Sequence, residues 1–253
     1  MSKFDRLSVY AVLLASGLAL FACRGRQTKD KYTDTATSGF ISISADESFR
    51  RIVQQEIDVF ESIYTMAGID PIYASEVDAI NLLLKDSVRL TVSTRRLTDA
   101  EKAGLEEKKF FPKEFKVASD AIALIVNRQN PDSIISLKDL SRILTGEVTE
   151  WSELYPGSKL GKLQLVFDNP NSSTVRYAID SICRGRPLAG SLHAQKSNAE
   201  VIDFVSQSPS AIGVIGVSWV GSESDSTNLS FSDRVTVMAV SREEKATEQN
   251  SYK

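Results

Sequence analysis

The chain has 253 residues, of which 42% are hydrophobic and 25% charged, enough for a sizeable core in one large domain or two lobes. A net charge of −3 and the lack of a basic run argue against a nucleic-acid partner. One histidine and two cysteines are too few for a typical zinc site, or for Cys–His and Ser–His chemistry, so neither metal nor cofactor is expected.

Lys3 and Arg6 precede an apolar run from Leu7 to Ala22, about as long as a signal-peptide core and short for a membrane span. The run ends Leu20-Phe21-Ala22-Cys23, which resembles the lipobox of bacterial lipoproteins. That resemblance implies removal of residues 1–22 and lipid on Cys23, placing the protein in the cell envelope, at the periplasmic side, anchored to the membrane. Removing Lys3, Arg6 and Asp5 leaves 28 basic and 32 acidic residues, a balance of −4. Cys183 is then the only free thiol, and residues 23–37, polar and rich in Thr, read as a flexible tether.

The folded part alternates strands and helices. Phe40–Ile43 alternates apolar and polar residues, and Ser44-Ala45-Asp46-Glu47 has capping-box spacing before a helix with Phe49, Ile52, Val53, Ile57, Phe60 and Ile63 on one face. Pro71–Tyr73 is expected to be extended, residues 74–84 helical, and 87–92 a strand ending in Ser93-Thr94-Arg95-Arg96. Thr98-Asp99-Ala100-Glu101 has the capping-box spacing again. Residues 121–126 read as an apolar strand, 136–144 as a capped helix, 198–205 as a helix, and 211–217 and 235–240 as strands. This rhythm predicts an α/β fold with mixed sheets.

Between them, the apolar run 162–167 stops at Asp168-Asn169-Pro170-Asn171. Ser172-Ser173-Thr174 and a helix to about Cys183 follow. A strand, a tight turn and a hydroxyl-rich helix start can hold an anion on backbone N–H groups and hydroxyls, or Ser172 or Ser173 can simply cap the helix. Ser48 and Phe49 sit at a second strand-to-helix turn. Arg95 and Arg96 follow a strand's carboxyl end, where ligands bind in open α/β sheets. His193 reads as a surface residue.

Four segments, in order, resemble the phosphate-binding proteins of ABC transporters, the PstS type. They are Ala121–Asn127, Ile143–Trp151 with its Gly146 and Trp151, Ser172-Ser173-Thr174, and Pro209–Val214. The resemblance implies a two-lobed periplasmic-binding-protein-like fold (type II) with a hinge. Lobe one is expected at 38–118 plus 217–253 and lobe two at 119–216. The expected function is non-catalytic capture of phosphate or a related oxyanion between the lobes for an ABC permease.

Carried over by position, Ser48, Phe49, Thr94, Arg95, Asp168, Ser172, Ser173 and Thr174 are the candidate ligand residues. Two positions depart from the family. Asp168 stands where an Arg is usual, and Arg95 stands in the place of an acid that, in the family, accepts the hydrogen of a protonated phosphate. An exchanged pair is expected, with Arg95 donating to the anion and Asp168 positioning it or accepting a P–OH. A structural Arg95–Asp168 bridge across the cleft is the alternative. A non-transport lipoprotein, either a phosphate sensor or a surface interaction module, and a phosphatase or hydrolase are the other readings.

Overall fold

The computed structural model describes residues 34–190, 192–221 and 232–253. The expected signal segment, Cys23 and most of the tether lie outside them. Among the described residues no helix is long and apolar enough to cross a membrane.

The first lobe is built on β1 (Ser38–Asp46). A one-turn 3-10 helix, Glu47–Phe49, leads from it into α1 (Arg50–Ile63), followed by β2 (Met66–Ala74), α2 (Glu76–Leu84), β3 (Leu90–Val92) and α3 (Asp99–Glu107). The sheet is parallel, in the order β2-β1-β3, so β1 lies in its centre. Parallel strands joined by helical crossovers are buried on both faces, and Ser44, Ala45 and Asp46 are fully buried. The Ser44 hydroxyl donates to the Ala79 carbonyl of α2 (2.8 Å), which satisfies it inside the lobe.

The second lobe contains β4 (Ile122–Val126), β5 (Ile134–Ser136), α4 (Leu137–Leu144), β6 (Gln164–Phe167), α5 (Ser173–Tyr177), β7 (His193–Ala194), α6 (Asn198–Gln207), β8 (Ala211–Gly216), β9 (Thr236–Val237), β10 (Ala239–Ser241) and β11 (Ser251–Tyr252). Helix α5 runs on as a π turn, Ala178–Ile182. The main sheet has the order β7-β6-β8-β4-β9. In it β6 is parallel to β7 and β8, whereas β4 runs antiparallel to β8 and β9. A small sheet, β11-β10-β5, flanks it.

Strand alternation divides the core. Leu124, Val126, Leu165, Phe167, Ile212 and Val214 point into one apolar layer with Trp151. Ile125, Val166 and Ile215 point into the other, with Val201 and Val205 of α6. The Trp151 indole donates to the Ser210 carbonyl (2.9 Å), so two of the segments that carried the resemblance meet here in the core.

The two chain crossings run side by side, with the Val217 N–H donating to the Ala121 carbonyl (2.9 Å). The return to lobe one is shorter than expected. Residues 217–253 do not complete the first lobe, because β9 pairs with β4 and β10 pairs with β5. Val235, Val237 and Met238 are buried in the two layers of lobe two, and that burial decides their place. Among the described residues of this segment, Val217–Gly221 lies against lobe one, where the Arg51 guanidinium donates to the Gly221 carbonyl (3.2 Å) and lies over the Trp219 ring.

Candidate ligand site between the lobes

Two strand ends face each other. On the lobe-one side, β1 pairs with β2 as far as Asp46. Asp46 then caps the 3-10 turn, its Oδ1 accepting from the Ser48 N–H at 3.0 Å. The expected Ser44–Glu47 capping box does not form, because pairing with β2 and β3 holds Ser44 in the sheet. Ser48 is fully buried, with its carbonyl accepting from Trp219 Nε1 (3.0 Å) and Ser218 Oγ (3.1 Å), and Phe49 is half-buried behind it.

On the lobe-two side, β6 ends at Phe167 and the chain turns through Asn169, whose side chain accepts from the Asn171 N–H (2.9 Å). Ser172 caps α5 by accepting from the Val175 N–H (3.3 Å), so the capping role holds. Its hydroxyl also donates to Asp168 Oδ1 (2.7 Å), as does that of Thr174 (2.6 Å). Ser173 Oγ meets Ser48 Oγ across the lobes at 3.5 Å. Ser48, Asp168, Ser172, Ser173 and Thr174 are therefore brought together, all buried.

Arg95 does not join them. Its guanidinium makes a two-pronged contact with Glu101 on α3 (2.8 and 2.8 Å), and it holds the Glu101 carboxyl down to about 2. Neither the exchanged Arg95–Asp168 pair nor a bridge between them is formed. Glu101 is a near neighbour in sequence, and Asp168 is already filled by hydroxyls. Thr94 stands at the edge of the cluster, its N–H donating to Glu76 Oε1 (3.0 Å), with its hydroxyl bonded to the same carboxylate.

Four residues that the sequence did not single out as ligand residues belong to the site. Asn198, fully buried at the start of α6, donates Nδ2 to Glu47 Oε2 (2.6 Å) and Asp168 Oδ2 (3.2 Å). Its Oδ1 accepts from the Gly216 N–H (2.9 Å), so one amide ties both lobes to the crossing strand. Glu76, on α2, is almost fully buried and takes Arg176 of α5 in a cross-lobe ion pair (Nε to Oε2, 2.7 Å; Nη2 to Oε1, 3.3 Å). Arg176 Nη2 also donates to Thr94 Oγ1. Asp46, by its spacing in the sequence, signals only part of a cap. No sequence signal separates Glu76 or Asn198 from ordinary first-turn helix residues.

The site is rich in carboxyls. Burial pushes the Asp46 and Glu47 carboxyls above their ordinary values, against hydrogen bonds that lower them. Asp46 Oδ2 has no hydrogen-bond partner. Burial acts the same way on Glu76, but Arg176 and Thr94 outweigh it and hold that carboxyl low. Among the described residues no group of three or more His, Cys, Asp or Glu side chains has the arrangement of a metal site. The one histidine, His193, is exposed and stacks on Phe204, with ring centroids 5.9 Å apart.

Two α/β lobes with hydroxyl-bearing strand-to-helix turns facing each other are the architecture of the two-lobed class. Within that class the chain belongs to the PBP superfamily domain family, which matches residues 30–253. It is similar to the phosphate-binding protein PstS of Bacillus subtilis, 26% identical over 226 residues covering 84% of this chain and 71% of that protein. It is also similar to PstS of Pseudomonas aeruginosa, 24% identical over 199 residues, 73% of this chain and 61% of that protein. This chain thus spans less than two thirds of the length of the Pseudomonas protein. A solved structure from Clostridium perfringens, described as a phosphate ABC transporter substrate-binding protein with bound phosphate, shares the fold. Its TM-score is 0.67 at 22% identity, over 84% of this chain and 79% of that one. The α/β class with mixed sheets and the resemblance to this family are both borne out.

Proposed function

We propose that this protein is a non-catalytic solute-binding protein that captures phosphate or a related oxyanion between its lobes and presents it to an ABC permease. It works outside the cytoplasm, tethered to the membrane through a lipidated Cys23. The observation that carries this reading is the meeting of Ser48 with Ser172, Ser173 and Thr174 at two facing strand ends. Hydroxyls and helix-start N–H groups recognise an oxyanion without net positive charge, which agrees with an acidic chain. The relatives that bind phosphate lend the ligand class. The sequence offers a poor inventory for hydrolysis, since its one histidine lies on the surface, stacked on Phe204.

Titration calorimetry of the purified protein with inorganic phosphate and with sulfate tests this. Saturable heat with phosphate is expected. No heat with either anion at millimolar concentration would remove the oxyanion reading.

A further inference from the structure

Resting on the oxyanion reading, we propose that Arg176 is the cation of this anion site and that Glu76 holds it in reserve, so that ligand capture is an exchange of partners. The position four residues before Ser172, where the resembling family carries an Arg, is occupied here by Asp168, and both its oxygens are filled by Ser172, Thr174 and Asn198. Arg95 is committed to Glu101. Arg176, by contrast, lies one turn along the helix that begins at the hydroxyl loop. Helix side chains lean back toward the N-terminus, and its Nη2 reaches Thr94 at the edge of the site.

Glu76 is nearly buried, with a side chain 2% exposed, whereas the Arg176 side chain is 37% exposed and is otherwise paired, through Nη1 at 3.5 Å, with the exposed carboxylate of Asp180 one turn on. Glu76 stays held without Arg176, because the N–H groups of Thr94 (3.0 Å) and Arg95 (3.1 Å) and the Thr94 hydroxyl also donate to it. An oxyanion arriving at Ser172–Thr174 offers the guanidinium a second pair of oxygens in the geometry it prefers. The bridge therefore inhibits capture: Glu76 and the ligand compete for one cation.

A structural bridge and a competing one give opposite results, which makes the test sharp. Phosphate affinity is measured by calorimetry for the unaltered protein, Glu76→Gln and Arg176→Met, with circular dichroism and urea unfolding to show that each variant is folded. Arg176→Met is expected to weaken phosphate by about tenfold or more, the scale of one lost charge-assisted contact. Glu76→Gln is expected to tighten it by about tenfold, with a steeper loss of affinity in salt as the freed guanidinium takes the anion. Weaker binding by a folded Glu76→Gln, or unchanged binding by Arg176→Met, overturns the exchange while leaving phosphate binding intact. No binding by any of the three overturns both.

Discussion

At the residue scale, the site is a place where buried carboxyls outnumber uncommitted cations, and their protonation ties stability to pH. The Asp46 and Glu47 carboxyls are raised by burial, so the folded protein holds protons there that the unfolded chain has already released. Their contribution is full below the ordinary carboxylate range and is lost as pH rises through the raised values. Glu101 and Glu76 work in the other direction. Arg95 holds Glu101 at about 2 against an ordinary 4.5, so that contribution is present above the ordinary value and lost as pH falls toward about 2. The expected outcome is a stability maximum on the mildly acidic side, measured by urea unfolding between about pH 3 and pH 8 without ligand. A steady rise in stability from pH 5 to 8 would contradict this account of Asp46 and Glu47.

At the scale of elements, the sequence was most legible where local chemistry and the wider fold agree. Thr98 and Glu101 form the expected reciprocal cap because nothing else competes for either side chain's backbone partners at the start of α3. The same spacing at Ser44–Glu47 misled, since sheet pairing on both sides of β1 outweighs one cap. The hydroxyl loop reads as a helix start, and Ser172 does cap α5. Arg95 does not meet Asp168, because Glu101, a near neighbour in sequence at the start of α3, takes its guanidinium first. Asn198 and Glu76 are not legible, because their partners Glu47 and Arg176 lie on the other lobe and spacing along the chain does not show them. In β8, Gly213 has a plain steric role: a Cβ there would lie 2.8 Å from both Ile125 Cγ1 and Val201 Cγ1. Gly213→Ala is therefore expected to destabilise the protein by about 1–3 kcal/mol through overpacking between β4 and α6. The shift of the urea midpoint at constant slope measures it.

At the scale of the whole molecule, the fold places the strands of residues 236–252 on lobe two and leaves lobe one attached by the crossings and the buried cluster. The contact between Ser48 and the short Val217–Trp219 turn is one of these attachments. It has an optical consequence. The chain has two tryptophans, and they occupy unlike places. Trp151 is sealed in the apolar layer of lobe two, bonded only within that lobe. Trp219 has its indole N–H on the Ser48 carbonyl, next to the anion loop, and a guanidinium over its ring. In a Trp151→Phe variant the remaining emission is expected to change on phosphate addition, with the midpoint that calorimetry gives. The Trp219→Phe variant should stay dark to the ligand, and a response from Trp151 instead would place the moving contact elsewhere. On the proposed reading the molecule carries its own gauge of occupancy, a single indole whose light reports what the neighbouring serine holds.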